Sequence, residues 1–457
     1  MTWRDDVSSA VGDRRTTRGT RTVRVGRLDV AAAGAPVWIV VGPVRGDASS
    51  RAGDVLDRMA ALGPRFRIGL QPSPDTTRWN FTDKPSLSAK PTFDISGCTT
   101  AQEILDRVVG RSPAAPISVG QAGEHLCICF DHGIGDSHLM MEIVAALTHE
   151  EAPNGFVGPL PAPTTDKPVQ SAIGHSLKSA PRQVIREVVS LATTAWSSAS
   201  VRAPAAARGD EPIVESAAKA EDYRAVYVKS EPHFADELRD WRDASNTRAS
   251  VTGLVMLSIY RALRDAGLKL ADDCEVVVDL RRFLPEPAQT LANFFTVARV
   301  RAGVGTCYED FSAGLGATAE SIGTLVKLAA YVSLARAFGV VRRNRNQPGR
   351  LLDGGRKPRS AVHVTISDIS KMPSTAKLSW TRPMDAEIAA ALPPGSASHL
   401  SIAVWVAGNG SVQATATFPA VLVDPDTVRN ALRKAFTSQN LCPAQRSPRS
   451  AAGKGVA

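Results

Sequence analysis

Cys127 to Leu147 read CICFDHGIGDSHLMMEIVAAL. Cys127 and Cys129 alternate with Leu126, Ile128 and Phe130, the period of two expected of a buried strand. Beyond the turn, Leu139, Ile143 and Leu147 recur every four residues, a stripe that would pin a helix onto a sheet. His132 and Asp136 lie between, where a strand gives way to a helix starting at about Ser137. Asp136 takes the place of a helix N-cap. The first turn of the helix would present unpaired N–H groups beside the imidazole.

The same alternation continues on either side. Strand patterns appear in TVRVGRLDV, PVWIVVGPV and RFRIGLQ, and helical ones in SSRAGDVLDRMAAL and AQEILDRVV. A Pro- and Gly-rich stretch follows the opening segment, then a long helical stretch is expected from about Ala172 to Ser198. The second part repeats the mix: strand YRAVYVK, helices HFADELRDWRDAS and VTGLVMLSIYRALRDAG, and strand CEVVVDL. It continues through a long helical region after Phe311, strands AVHVTIS, HLSIAVWVA and SVQATATF, and a last helix PDTVRNALRKAF. The expected fold class is α/β, in two lobes of similar size. The expected division is a basic arm over 1–22, an N-terminal lobe over 23–205, a C-terminal lobe over 206–440 and a basic tail over 441–457.

A chain of 457 residues can bury a large core. The sequence shows no apolar run long enough for a membrane helix, and its first residues lack the apolar core of a signal peptide, so a cytoplasmic protein is expected. Cys98, Cys127, Cys129, Cys274, Cys307 and Cys442 are scattered without zinc-site spacing or disulfide density; they read as core positions, and no metal is expected.

The net charge of +9 concentrates in the arm, the tail, and an internal cluster of Arg342, Arg343, Arg345, Arg350, Arg356, Lys357 and Arg359. That cluster suits either an anionic partner or plain solvation. An acidic carrier protein, a phosphate-bearing cofactor, and peripheral contact with lipid headgroups all remain open for it. Without interleaved aromatics it offers no stacking platform for bases, and no nucleic-acid partner is expected.

His-x-x-x-Asp is weak by itself: with eight histidines, about half a match arises by chance. Its chemistry is more informative. A neutral imidazole beside free backbone donors can take a proton from an attacking hydroxyl or amine while the N–H groups hold the oxyanion. That scheme needs no nucleophilic serine, and no GxSxG elbow is present.

Strand, His132, three residues, Asp136 and helix, in a chain of two equal lobes, resemble the HHxxxDG motif of the chloramphenicol acetyltransferase-like superfamily. That group holds the condensation domains of peptide synthetases, the polyketide-associated acyltransferases and the wax ester synthase/diacylglycerol acyltransferases. EVVVDLRRFLPEPAQTLANFFT is similar to the family's DLR strand and later asparagine, at Asp279, Leu280, Arg281 and Asn293. AVHVTISDIS resembles its strand ending in Ser-Asn, at Ser367 and Asp368. The sequence lacks the DFGWG element of the plant branch.

The resemblance implies two lobes, each a mixed sheet flanked by helices, with a tunnel between them. His132 would be the general base and Asp136 a structural partner of Arg281, with the Ser137 N–H as oxyanion donor. Asp131, Gly135, Asn293, Ser367 and Asp368 would line the tunnel. It implies an acyltransferase of lipid or natural-product biosynthesis that acts as a monomer. Such an enzyme moves an acyl group from coenzyme A or a carrier-protein phosphopantetheine thioester to a hydroxyl or amine, with no permanently bound cofactor.

Three letters depart from the pattern. Asp131 replaces the first His, placing a carboxylate beside the base; Ser137 replaces Gly, where a positive φ would be costly; Asp368 replaces Asn. The alternative they motivate is a catalytically silent relative that binds an acyl carrier or a biosynthetic partner. His138 reads as a surface or packing residue, His125, His363 and His399 as structural histidines, and Trp380 and Trp405 as core aromatics.

Overall fold

The computed structural model describes residues 21–85, 94–111, 115–149, 165–200, 222–337, 361–370, 372, 375 and 377–437. The basic cluster over 342–359, the tail over 441–457 and most of the arm lie outside them.

The N-terminal lobe runs β1 (Arg21–Arg24), α1 (Arg27–Ala32), β2 (Pro36–Gly42), α2 (Ala52–Ala61), β3 (Leu70–Gln71), β4 (Arg78–Phe81), α3 (Ala101–Val108), β5 (Ile117–Ala122), β6 (His125–Asp131) and α4 (Ser137–Thr148). Two helices follow, α5 (Pro168–Ser179) and α6 (Pro181–Ser200). The C-terminal half of the chain holds β7 (Tyr223–Lys229), α7 (Phe234–Ala244), α8 (Val251–Asp265), β8 (Asp273–Asp279), β9 (Phe295–Arg301), α9 (Tyr308–Glu320), α10 (Ile322–Ala337), β10 (His363–Asp368), β11 (Glu387–Ala391), β12 (His399–Val406), β13 (Val412–Pro419) and α11 (Pro425–Ala435).

The first lobe is built on a four-stranded sheet ordered β11-β2-β6-β5, antiparallel at every seam. Its two faces divide the side chains by parity. Val37, Ile39, Val41, Leu126, Ile128 and Phe130 pack on one side with α2 and α4. Trp38, Val40, Cys127 and Cys129 pack on the other with α3. Both faces are covered, so β2 is apolar at every position but its terminal Gly42, as expected of a central strand. A small sheet of β1, β4 and β3 lies beside it.

The second lobe is a mixed six-stranded sheet ordered β7-β13-β12-β10-β8-β9, with β10 parallel to both neighbours. Val276, Ile366, Leu400, Ile402 and Val404 pack with α8 and α11 in one core. The opposite face carries Glu275, Asp279, Thr365 and His399, and meets the first lobe through Ala403 and Trp405 and through the contact of Asp279 with His138. No helix of the described residues is long and apolar enough to cross a membrane.

The structure corrects the sequence reading at four places. The helical stretch expected over Ala172–Ser198 starts earlier, at Pro168, and is divided in two, because Pro181 has no N–H to continue the ladder of α5 and instead opens α6. RFRIGLQ yields only the two residues of β3, with a 3-10 turn over Pro64–Phe66 before them. TVRVGRLDV is strand only to Arg24, since Asp29 Oδ2 accepts from the Gly26 N–H at 2.9 Å and starts α1. Finally, β11 from the C-terminal half pairs with β2, so the division at 205/206 does not separate two closed units.

Candidate active site

β6 leaves the middle of its sheet at Asp131 and the chain makes one 3-10 turn, His132–Ile134, before α4 begins. Asp131 fastens the start of this turn. Its Oδ1 accepts from the Gly133 N–H at 2.7 Å, and its Oδ2 from the Gly34 N–H at 2.8 Å. Both carboxylate oxygens are thereby occupied by backbone. Burial pushes the acid up to about 6, against the opposing pull of the two N–H groups and of His132. The folded chain therefore holds this proton to higher pH than the unfolded chain, whose ordinary value is 3.8. Stability is expected to fall as pH rises from about 4 through 6, by Asp131 alone. Denaturation of wild type and Asp131→Asn across that window should show the slope in the first and its loss in the second.

His132 follows, with its backbone N–H on the Ala35 carbonyl at 2.8 Å. Its Nδ1 lies 3.0 Å from the Gly135 carbonyl oxygen. A carbonyl can only accept, so the proton of the neutral ring sits on Nδ1 and Nε2 carries the lone pair. The ring stacks on Phe295 at the start of β9, centroids 5.6 Å apart, which places the histidine against the second lobe. Among the described residues, Nε2 has no hydrogen-bond partner.

Gly135 is needed for space rather than for an unusual conformation: its φ is 169°, ordinary extended backbone. A Cβ there would stand 2.6 Å from Leu139 Cδ2 and 2.8 Å from the Leu291 carbonyl oxygen. Gly135→Ala is expected to push the lobes apart at this point and cost about 1–3 kcal/mol, measured as a shifted urea midpoint.

Asp136 caps α4 by accepting from the His138 N–H at 3.1 Å. It is only 4% exposed, and it also receives the Phe294 N–H and two arms of Arg281, at 2.9 and 3.0 Å. Arg281 spends its remaining donors on the Thr290 and Ala292 carbonyls and on Asp279. Burial would lower the guanidinium's pKa, but Asp136 and Asp279 outweigh it and raise it. Asp279, at the end of β8, also meets His138 Nε2 at 3.1 Å. Burial opposes its charge, yet the His138 hydrogen bond and the charges of Arg281 and His138 hold it down at about 2.

Ser137 begins α4 with helical backbone and is not among the positive-φ residues, so the strain expected of a side chain there does not arise. Its N–H finds no acceptor among the described residues, leaving a donor one turn from the imidazole.

Two residues without any motif hold the turn from behind. Asp29, 1% exposed, pairs with Arg67 at 3.0 Å and accepts from the backbone and side-chain nitrogens of Asn293, both at 3.1 Å. Arg67 in turn donates to the carbonyls of Ile134 and Gly133. Asn293 Nδ2 donates to the His132 carbonyl at 2.8 Å. The peptide of the histidine is thus held from both lobes, and neither Asp29 in RLDVAA nor Arg67 in RFRIG signals this in sequence.

The structure brings Asp131, His132, Gly135, Asp136, Ser137, Arg281 and Asn293 together. It does not bring Asp368 to them. Asp368 accepts from Thr252 Oγ1 at the start of α8 and from the Ser370 N–H, both at 2.9 Å, on the side of the sheet away from the first lobe. Parity along β10 places Ser367 on the side facing the first lobe, buried, with no hydrogen bond to the turn among the described residues. A cleft lined in part by Arg299, Arg301, Thr306 and Asp310 opens at the opposite end of β9 from Phe295 and excludes His132. Of the histidines read as structural, His125 meets Glu387 at 3.6 Å, His399 meets Thr365 at 2.6 Å, and the His363 ring lies 6.2 Å from that of His399. Trp380 and Trp405 pack on each other, 5.9 Å between rings.

No family model and no curated protein matches the sequence. Solved structures do. A nonribosomal peptide synthetase bound to AMPPNP superposes with a TM-score of 0.54 at 13% identity over 93% of this chain, which spans 43% of that protein. Polyketide synthase associated protein 5 from Mycobacterium tuberculosis gives 0.50 at 15%, covering 92% of this chain and 99% of its own. The trichothecene 15-O-acetyltransferase from Fusarium sporotrichioides gives 0.51 at 12%, with 93% and 97% covered. The likeness is one of fold, spread over nearly the whole of this chain: it has the two-lobed chloramphenicol acetyltransferase-like fold.

Proposed function

We propose that the chain is an acyltransferase that moves an acyl group from a thioester, on coenzyme A or on a carrier-protein phosphopantetheine arm, to a hydroxyl or amine, with His132 as general base. The observation that carries this reading is the Nδ1 contact to the Gly135 carbonyl, which turns the basic Nε2 away from its own turn. The acceptor approaches Nε2 along the seam between the lobes. Nε2 takes the acceptor's proton as its oxygen or nitrogen bonds to the thioester carbon, and the carbonyl oxygen becomes an oxyanion. The Ser137 N–H, at the positive end of α4, is the candidate donor to that oxyanion. Collapse breaks the carbon–sulfur bond, and the imidazolium returns its proton to the departing thiolate.

Asp136 and Arg281 are positioning residues in this scheme, as are Asp29, Arg67 and Asn293. Asp131 spends its charge on backbone, so the departure from the family's first His leaves the base in place. The fold likeness to a trichothecene 15-O-acetyltransferase, and to a protein solved in complex with ethyl coenzyme A, supports the donor class. Incubating the chain with an acyl-coenzyme A and a panel of alcohols and amines tests it. One new ester or amide per free thiol is expected, and consumption of no thioester across short and long acyl chains and a loaded carrier would refute it.

A further inference from the structure

The outer face of α6 is left without a structural explanation by the fold. Val184 is buried, with Glu187 and Leu191 half-buried beside it, and these seat the helix on the body of the protein. Ile185, Val188 and Val189 are instead 59%, 50% and 55% exposed. At about 100° per residue, these three and Ala192 form one stripe of about 100°. The inward residues border it on one side, and exposed Arg182 and Arg186 border it on the other. Exposed Leu177 and Lys178 lie at the joint with α5. Glu187 is the one acid of α6, and it lies on the inward flank.

We infer that this stripe docks on an anionic lipid surface. Three points choose that occupant. Aliphatic side chains edged by arginines match an interfacial helix, with the apolar face at the acyl boundary and the guanidinium groups among the headgroups. The charge is complementary to anionic lipid, both locally and in the net +9 of the chain. A stripe of three or four aliphatics is small beside the roughly 800 Å² per partner of a stable protein interface. The helix before the stripe, α5, packs Val169 and Ala172 against Leu280, Leu284 and Phe294, the segment that carries Arg281 and leads into Phe295.

Flotation of the full chain tests this with vesicles of phosphatidylcholine alone and with about a third phosphatidylglycerol. Wild type should float with the anionic vesicles and be released by salt. Arg182→Gln with Arg186→Gln should weaken partitioning by about 25-fold, at roughly fivefold per arginine. Ile185→Ser with Val188→Ser and Val189→Ser should weaken it at least about 10-fold, with circular dichroism and melting unchanged because all three side chains are exposed. Flotation unaffected by either variant would assign binding to another basic segment and overturn the proposal. So would a wild type that stays in solution with both vesicle types. A dimer lost only in the serine variant, without vesicle binding, would assign the stripe to a second copy of the chain.

Discussion

Arg281→Met is expected to destabilise the folded chain by about 3–5 kcal/mol, the scale for breaking a buried ion pair from one side. The size follows from what remains. Asp136, 4% exposed, would keep the N–H groups of His138 and Phe294 but lose both guanidinium arms. The Thr290 and Ala292 carbonyls would lose their donors as well. Chemical denaturation should show a lower midpoint at similar slope, and Arg282→Met, one residue on and exposed, should stay within about 0.5 kcal/mol of wild type. Adding Asp136→Asn to the Arg281 variant should recover part of the loss, because the stranded charge is gone. A loss under about 1 kcal/mol would mean that this pair does not join the lobes.

The largest effect on turnover is expected at His132. Replacement by Ala should lower kcat by about 10²–10⁴-fold, the contribution of a positioned general base. KM for the thioester should change little, since the ring's contacts are with Gly135 and Phe295 of its own chain. His132→Gln, which can still meet the Gly135 carbonyl but has no basic nitrogen, should be as slow as Ala. Asn293→Ala separates positioning from catalysis. It removes the donor on the His132 carbonyl without touching the base, so an intermediate loss of kcat is expected.

Much of the fold was legible because its signals are local. The parity of Leu126 to Phe130 marks β6, and the four-residue stripe from Leu139 marks α4; both follow from one face meeting a core. What is not local was not legible. β11 is EIAAA, five residues with one β-branched side chain, and it is a strand because β2 offers an edge to pair with. Asp136 and Arg281 are 145 positions apart, and their pairing could be anticipated only from family resemblance. Asp29 and Arg67 sit in unremarkable segments. A charge is recognisable as buried only once its partner is in place, and theirs is supplied by tertiary structure. Asp368 shows the limit of resemblance: it follows the expected strand, yet strand parity turns it toward Thr252 and α8.

The central claim, that His132 Nε2 drives acyl transfer from a thioester, is tested most directly by counting free thiol released from an acyl-coenzyme A or a loaded carrier by wild type and by His132→Ala. Mass spectrometry of the same samples would follow the acyl group. The account predicts acyl transfer with one thiol released per turnover by wild type, and at least about 100-fold slower release by a folded variant. Equal release by the two proteins, or saturable binding of the carrier with no release by either, would contradict it.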